Sequence, residues 1–252
     1  MADEYVIWGR RPVLEALEAG SEFNKIVVAR GSADPRIIAA ARERRIPVIE
    51  ADREALDRIV GQVGGGAHQG VAAYVSPILY VELDAVVAKA ADRGESLFVV
   101  LLDGIEDPQN LGSIIRTADA AGAHGVVIPA RRSALVSPAV VRASSGAAEH
   151  TLVARVANLS RAIDDLKKAG AWVVGTSPDA KKKYFEADLS GPIAVVVGNE
   201  GRGMSHLVST RCDFTVSMPM AGPIASLNAG AAWAVIAYEV VRQRTAGSAN
   251  AD

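Results

Sequence analysis

The sequence predicts an α/β protein in which a small first domain precedes a larger domain built on a parallel sheet. From residue 97 onward, short runs of Val, Ile and Leu alternate with helix-like segments, as in parallel strands covered by helices on both faces. The first 76 residues alternate shorter apolar runs with amphipathic segments. Half of the 252 residues are hydrophobic, so the chain can bury a sizeable core.

Charge and cysteine content limit the classes of function. The formal net charge is −2 at pH 7, so a nucleic-acid partner would have to meet a local basic patch. Cys212 is the only cysteine, which excludes an intrachain disulfide, and the four histidines are spaced too widely for a metal site. No cationic leader and no apolar run near the roughly 18 residues of a membrane span is visible. We therefore predict a cytoplasmic protein without metal or membrane partner.

The first domain is expected at residues 1–76. Pro12 and Gly20 flank PVLEALEA in the way that opens and closes a helix. The runs KIVVA, IPVIE and GVAAYV predict strands, and RIIAAARERR and REALDRIV predict the helices between them. The stretch GQVGGGAHQG at 61–70 has too many glycines for a regular element and is interpreted as a flexible connecting loop.

Residues 77–95 are interpreted as a linker to a second domain at 96–252, because a proline interrupts VSPILY before the helical pattern ELDAVVAKAADRG. In the second domain LFVVLLD, GVVIP, TLVARV, WVVGT, IAVVVG and FTVSMP predict strands. Helices are expected from Leu111, from Leu159 and from about Ser226 to Arg244. Ligands of parallel sheets bind at the carboxyl ends of strands, where three unusual turns also fall.

The first unusual turn is DGIEDPQNLGSIIRTADAAG at 103–122. It carries five polar side chains where a strand-to-helix turn needs only a cap and a glycine. Asn110 stands beside the helix start, and Arg116 follows six residues later, about a turn and a half into the helix. Taken singly, Asn110 fits a helix cap and Arg116 fits a surface ion pair.

The second turn is VVVGNEGRGMS at 195–205, where three glycines surround Glu200 and Arg202. Glycines let a ligand lie against bare backbone, and a tight turn alone would need fewer of them. The glycine order matches neither the dinucleotide fingerprint nor the phosphate loop.

The third turn is MPMAGPIASLNAGAAWAVIAYEVVRQR at 218–244. Its two prolines and Gly222 rigidify a loop that brings Ser226 and Asn228 to the start of a helix rich in small residues. Both residues fit plain helix caps, and the small residues permit close packing against another helix or chain. Explaining the three turns by folding alone needs a separate structural reason at each of three strand ends of one sheet. One shared site explains all three turns and is the stronger hypothesis.

In order and character the three turns resemble the motifs of the SpoU (TrmH-like) branch of the SPOUT RNA methyltransferases, over about residues 97–244. GRRPVLEALEAG and HQGVAAYV resemble the L30e-like substrate-binding domain of the 23S rRNA guanosine 2′-O-methyltransferases of the RlmB type. The resemblance implies a trefoil knot in the C-terminal domain. It also implies a homodimer in which the partner chain completes each active site.

The resemblance further implies S-adenosylmethionine as methyl donor and assigns its binding residues. Those residues are Gly198, Met218, Leu227, Thr176 and Gly203. The positions associated with ribose methylation are Asn110, Arg116, Glu200, Ser226 and Asn228. Met218 stands where isoleucine is common in the family, and either side chain gives an apolar wall.

Methyl transfer to a ribose 2′-hydroxyl requires alignment of donor and acceptor and a more nucleophilic hydroxyl. A guanidinium holds its proton far above neutral pH, so Arg116 is a poor base. We expect Arg116 to orient the nucleotide's phosphate and to stabilise the emerging alkoxide. Asn110, Ser226 and Asn228 would fix the ribose, and Glu200 would orient Arg116 or Asn228.

The first domain is expected to select the 23S rRNA substrate through clustered arginines, namely Arg10, Arg11, Arg44 and Arg45. AKKKYF at 180–185 is a second candidate phosphate contact, although a solvated loop fits it equally. Methylation of tRNA, antibiotic-resistance methylation of rRNA and a non-catalytic ribosome-assembly role remain alternatives. A nicotinamide oxidoreductase is disfavoured, because the dinucleotide fingerprint is missing.

Overall fold

The computed structural model describes residues 5–224 and 226–248. Contacts divide the chain into two units, the first reaching Leu79 and including Leu135–Ala139, the second formed by Tyr80–Ala134 and the chain from Val140 onward. Among the described residues, no helix is both long and apolar enough to cross a membrane.

The first unit is a four-stranded sheet with three helices. Its elements are β1 (Tyr5–Trp8), α1 (Arg10–Glu18), β2 (Phe23–Ala29), α2 (Pro35–Glu43), β3 (Val48–Ala51), α3 (Arg53–Gly61) and β4 (Val71–Val75). The strand order is β1-β4-β2-β3, with β4 antiparallel to both neighbours and β2 parallel to β3. One buried cluster contains Phe23 and Ile37, and another contains Leu56 and Val60.

Capping side chains and a glycine set the ends of helices in the first unit. Asp34 accepts a hydrogen bond from the Arg36 backbone N–H at 2.9 Å, and Asp52 accepts one from the Ala55 N–H at 2.7 Å, so both act as N-caps. Gly20, at φ 79°, follows α1 as the sequence predicts.

The second unit contains a six-stranded sheet. Its elements are α4 (Leu83–Asp92), β5 (Phe98–Asp103), α5 (Pro108–Ala120), β6 (Gly125–Pro129), α6 (Pro138–Ala143, which begins within the segment assigned to the first unit), β7 (Val153–Val156), α7 (Leu159–Lys168), β8 (Trp172–Thr176), β9 (Ile193–Gly198), α8 (His206–Ser209), β10 (Phe214–Val216) and α9 (Ala229–Ser248). The strand order is β10-β8-β9-β5-β6-β7, and every neighbouring pair is parallel. The predicted parallel sheet is therefore confirmed. Its strands show continuous apolar runs in the sequence because parallel strands are buried on both faces.

Residues 77–95, interpreted above as a linker, contain α4. Val86 and Ala90 on this helix are buried in the core cluster that also holds Leu101 and Val196 of the central strands. The apolar stripe of ELDAVVAKAADRG explains this, since a helix with a hydrophobic face is stabilised by covering a sheet.

Helix α9 packs against α5 in the second unit. The Trp233 indole N–H donates to the Ile114 carbonyl at 3.2 Å, and its ring centroid lies 5.6 Å from that of Phe98. The C-terminal helix is thus fixed across the middle of the sheet. The trefoil knot stays a prediction.

His124 is fully buried before β6, and its pKa gives the fold an acid sensitivity. Its Nδ1 accepts from the Phe98 N–H at 3.0 Å, and its Nε2 lies 3.0 Å from a Glu95 carboxylate oxygen. Burial lowers the pKa of His124 below its ordinary 6.5, and the bond to Glu95 opposes this only in part. His124 therefore binds a proton near pH 6.5 in the unfolded chain, but only at a lower pH in the folded chain.

We expect the free energy of unfolding to fall as pH drops below about 7, by at most about 1.4 kcal/mol per pH unit from this residue, and the decline to level off below the folded pKa. His124→Asn should lower stability throughout and reduce that slope, which urea unfolding between pH 7.5 and 5 measures. His150→Gln, at an exposed position, serves as control. An unchanged slope in His124→Asn would contradict the assignment.

Candidate active site

The three unusual turns meet at one edge of the second unit's sheet. The register pairs Asp103, the last residue of β5, with Gly198, the last residue of β9. Strand β8 lies on the other side of β9 and ends at Thr176. Because the strands are parallel, their carboxyl ends bring the first two turns side by side, as expected from the sequence.

The loop after β9 is held rigid by Asn199. Asn199 and Gly203 exchange two backbone hydrogen bonds of 3.1 and 2.8 Å, and the Asn199 side-chain oxygen accepts from the Gly201 and Arg202 N–H groups. The Asn199 amide also donates to the Gly104 carbonyl at 3.0 Å. Glu200 is therefore fixed by its neighbour. Sequence analysis missed this role, although Asn is a common residue of tight turns.

Gly198 is required by close packing of that loop on the strand end. A Cβ at Gly198 would lie 2.4 Å from the carbonyl carbon of Gly203 and 2.4 Å from the backbone nitrogen of Met204. Gly203 itself has φ 67°, a conformation that favours glycine. Both glycines therefore shape the loop, independently of any ligand.

A chain of hydrogen bonds joins all three turns. Glu200 Oε1 accepts from the Asn110 side-chain amide and from the Ala229 backbone N–H. Asn228 donates from its amide to Asn110 Oδ1 at 2.7 Å, and its own oxygen accepts from the Gly230 N–H at 3.0 Å. Every amide in this chain therefore has a fixed orientation, because each oxygen faces a donor and each bonded nitrogen faces an acceptor.

This arrangement can orient a hydroxyl group. Each of the Asn110 and Asn228 amides has a second N–H beyond the one used within the chain, and Glu200 has a second carboxylate oxygen. These groups are preorganised, since Asn110 is buried and bonded at both ends. A small polar substrate group could be bound here without reorganisation of the side chains.

Arg116 does not join this chain of hydrogen bonds. It is exposed on α5 and has no hydrogen-bond or ion-pair partner within residues 5–224 and 226–248. Six residues of helix place it about 9 Å along the axis from Asn110 and about 120° around it. Glu200 was expected to orient Arg116 or Asn228. Within one chain its direct partners are the Asn110 side chain and the Ala229 N–H, and it reaches Asn228 only through Asn110.

A cavity of about 400 Å³ opens beside this chain and is called the strand-end cavity. It is lined by all five predicted cofactor residues and two of the predicted catalytic residues, which are Thr176, Gly198, Gly203, Met218, Leu227, Glu200 and Ser226. Asn110, Asn228 and Arg116 do not line it. Its volume lies in the range of small-molecule sites, about 300–1,000 Å³.

The loop 218–224 and 226–227 leaves its backbone free to bind a ligand. Within the described part of the chain, none of these residues makes a hydrogen bond. Met218 and Leu227 add apolar walls to the strand-end cavity. Apolar walls with unused backbone donors and acceptors suit a purine or another flat, polar-edged group.

Cys212 is not activated as a nucleophile. Burial raises the pKa of the Cys212 thiol to about 11, so the thiol stays protonated at neutral pH. In the described ranges, no group of three or more His, Cys, Asp or Glu side chains is placed to hold a metal ion.

The four arginines predicted to bind RNA do not form one cluster in the first unit. Arg10 and Arg11 begin α1, and Arg11 pairs with Glu15 at 2.8 Å. Arg44 donates to the carbonyls of Leu17 and Ser21, at and beyond the far end of α1, at 2.9 and 2.6 Å. Nine helical residues separate the two ends by about 13 Å. Arg44 is therefore a structural residue that satisfies carbonyls at a helix end, whereas Arg45 is exposed.

Comparisons with known proteins cover both units. The model of the SpoU rRNA methylase family matches residues 97–238, more than half of the chain. The model of RNA 2′-O ribose methyltransferase substrate-binding domains matches residues 6–81. These matches confirm the resemblance of the three motifs to the SpoU family and of the first domain to a ribose methyltransferase substrate-binding domain. The likeness to the RlmB type in particular stays a prediction.

Individual relatives agree over nearly the whole length. A Bacillus subtilis (strain 168) protein assigned by name to the TrmH family of tRNA/rRNA methyltransferases is 43% identical over 245 residues, 96% of each chain. The SpoU methyltransferase AviRb of Streptomyces viridochromogenes, solved with S-adenosylmethionine, is 31% identical with a TM-score of 0.62, covering 97% of this chain and 92% of that chain. An S-adenosylmethionine-bound rRNA methyltransferase of Sinorhizobium meliloti is 27% identical with a TM-score of 0.58, covering 95% and 87%.

Proposed function

The chain belongs to the SpoU rRNA methylase family, and we propose that it transfers a methyl group from S-adenosylmethionine to a ribose 2′-hydroxyl of RNA. The finer proposal is a guanosine in the peptidyl-transferase region of 23S rRNA. The match of residues 6–81 to ribose methyltransferase substrate-binding domains supports a structured RNA as substrate. The name of the Bacillus subtilis relative keeps tRNA as the second candidate.

The strand-end cavity fits the methyl donor. Met218 and Leu227 would contact the apolar faces of the donor, and the backbone of 218–224, which bonds to no described residue, would meet its polar edges. Gly198 and Gly203 line the cavity, and Gly198 lets the loop close on the strand end. When bound, S-adenosylmethionine supplies the electrophilic methyl group on a sulfonium.

The observation that carries the proposal is the position of Glu200. Glu200 lines the strand-end cavity and also accepts the hydrogen bond of Asn110. A hydroxyl held by the Asn110 and Asn228 amides would therefore lie beside the cavity, which in-line displacement requires. Ser226, on the cavity wall, would contribute a further hydrogen bond to the ribose.

Arg116 supports a homodimer as the active form. On a face of α5 turned away from the Asn110 chain of hydrogen bonds, it carries a cation that has no partner among residues 5–224 and 226–248. We propose that Arg116 of a second copy reaches each active site, where a planar guanidinium stabilises the alkoxide and the nucleotide's phosphate. Exposed Tyr238 on the neighbouring α9 would provide apolar contact area between the copies.

Mixed dimers test this arrangement. Arg116→Ala and Glu200→Ala are each expected to lower turnover about 100-fold, about 2.7 kcal/mol of transition-state stabilisation. If Arg116 acts across the dimer, mixing the two variants should restore one intact site per mixed dimer and raise activity well above either variant alone. Mixing should restore nothing if both residues act within one chain. A monomer by light scattering at assay concentration would also sink the dimer.

The substrate is identified by transfer of labelled methyl groups from S-adenosylmethionine to protein-free 23S rRNA and to bulk tRNA, followed by nucleoside analysis. Label in 2′-O-methylguanosine of 23S rRNA is the expected result. Label in tRNA would keep the chemistry and overturn the substrate. Absence of label in both RNAs and in assembled ribosomal particles would favour a non-catalytic RNA-binding role.

A further inference from the structure

The glycine-rich stretch at 61–70 builds a second cavity, and this cavity lies within the first unit. The cavity has a volume of about 570 Å³ and is formed by the loop 66–70 with Arg10, Arg53 and Asp57. We call it the Arg10–Arg53 pocket. It takes no part in the chemistry described above, and connecting α3 to β4 would not require a cavity.

The loop of this pocket is fixed rather than loosely coiled. His68 Nδ1 accepts from the Gly70 N–H at 2.9 Å, so the proton of the neutral ring sits on Nε2, which lies 3.1 Å from an Asp57 oxygen. The Val71 N–H donates to the His68 carbonyl at 2.9 Å. Gln69, at φ 51°, adopts a conformation that is unusual for a residue with a side chain. Hydrogen bonds on both sides of Gln69 hold this geometry.

Arg10 is positioned by that loop. Its Nε donates to the Gln69 carbonyl at 3.3 Å, and its backbone N–H donates to the Gln69 side-chain oxygen at 3.1 Å. One Nη of Arg10 also donates to the Ser32 carbonyl at 3.5 Å. A guanidinium has five N–H groups, so donors remain for a ligand.

Arg53 has no evident structural purpose. It is exposed at the first position of α3, and its side chain bonds to nothing within the described ranges. A cation at this end of a helix is opposed by the helix dipole, so local folding does not explain its presence.

The charges around the pocket favour an anion. Two guanidinium groups face one carboxylate, Asp57, which already accepts a hydrogen bond from His68. The backbone N–H groups of Gly66 and Ala67 also donate to nothing in the described part of the chain. Arginine forks together with free backbone N–H groups are the donors that phosphate groups bind in proteins.

We propose that the Arg10–Arg53 pocket binds a backbone phosphate of the substrate RNA. The proposal rests on the proposed RNA methyltransferase function and assigns a phosphate-binding site that shares no lining residue with the strand-end cavity. Phosphate contacts position a nucleic acid without reading its sequence. The pocket would therefore contribute affinity for RNA and leave the chemical step unaffected.

The test compares Arg53→Gln with Arg58→Gln in the full chain. Both residues are exposed on α3, but Arg58 does not line the pocket. Arg53 has no partner within the described residues, so melting temperatures should match the wild type. Binding of a 23S rRNA transcript and of bulk tRNA is measured by fluorescence anisotropy from 50 to 200 mM KCl.

We expect Arg53→Gln to weaken binding of both RNAs about 5- to 10-fold and to reduce the slope of log affinity against log salt by about 0.7–0.9, the value for one lost phosphate contact. Arg58→Gln should stay within about twofold of wild type. At saturating RNA, Arg53→Gln should keep its kcat while its KM for RNA rises.

Failure of this proposal and of the proposed function are distinguishable. Unchanged RNA affinity and salt slope in Arg53→Gln would overturn the pocket assignment even if methylation proceeds. A second result would also overturn it. If 10 mM inorganic phosphate at constant ionic strength stabilises the wild type but not Arg53→Gln, and the two proteins bind RNA with equal affinity, then the pocket binds free phosphate rather than RNA. If Arg53→Gln loses RNA affinity but the wild type transfers no methyl group, the pocket assignment would stand and the proposed methyltransferase activity would be refuted.

Discussion

Replacing Gly198 by alanine is expected to weaken S-adenosylmethionine binding at least about 100-fold, about 2.7 kcal/mol. The added methyl group would sit 2.4 Å from the backbone of Gly203 and Met204. Backbone atoms cannot rotate away as a flexible side chain can, so the loop 199–203 must move as a unit. That movement shifts a wall of the strand-end cavity and carries Glu200 away from Asn110.

The effect of Gly198→Ala should be local. Overpacking costs about 1–3 kcal/mol, which a protein of this size is expected to survive, and circular dichroism with thermal melting checks that the fold persists. Calorimetry then measures the affinity for S-adenosylmethionine. Gly191→Ala is the matched control, because it precedes the opposite end of β9 and its Cβ meets no atom within 4 Å. Binding by Gly198→Ala within about threefold of wild type would show that the loop accommodates the methyl group.

The sequence predicted the strand ends of the second unit well for a physical reason. Strands buried on both faces must be apolar along their length, so polar residues after IAVVVG or LFVVLLD mark the point where each strand leaves the core. The positions of the polar turns, and their meeting at one edge of the sheet, could therefore be predicted from the pattern of apolar and polar residues alone. Which strands are neighbours did not, since β9 inserts between β8 and β5 only through tertiary packing.

Hydrogen-bond partners were less predictable than positions. Glu200 was expected to orient Arg116 or Asn228, but it bonds Asn110, because Asn199 sets the conformation of a loop whose glycines permit many others. Arg44 was expected to contact RNA, yet it satisfies carbonyls more than twenty residues earlier in the chain. Arg53 was predicted only as part of the helix REALDRIV. Its environment depends on a loop that sequence patterns describe only as flexible.

Glycine and asparagine have different roles in the active site. Gly198 and Gly203 let the loop close on the strand end, while Asn199, Asn110 and Asn228 fix the direction of every donor. Asparagine suits this task because one side chain can donate and accept at the same time. The direction of donation is therefore the property to challenge, rather than polarity in general.

Asn110→Asp makes that challenge with almost no change in shape. The substitution replaces the amide that donates to Glu200 by a carboxylate oxygen, and two carboxylates in contact cannot both stay ionised without strong repulsion. We expect kcat at pH 7.5 to fall about 100- to 1,000-fold, about 2.7–4 kcal/mol. Affinity for S-adenosylmethionine should change less than about threefold, because Asn110 does not line the strand-end cavity.

The pH dependence of the variant identifies the mechanism. The two carboxylates should share a proton at a pKa above that of an isolated carboxylic acid, so a donor between them returns as pH falls. Asn110→Asp should therefore regain activity relative to wild type between about pH 7.5 and 5.5, while Asn110→Ala, which has no proton to share, should not.

Asn158→Asp is the control, since Asn158 caps α7 only by accepting from the Arg161 N–H, a role that aspartate fills equally well. If Asn110→Asp kept kcat within threefold of wild type, or if Asn110→Ala recovered alongside it at low pH, donation from Asn110 to Glu200 would not be what orients the ribose hydroxyl. The amide chain would then serve the packing of α9 against α5.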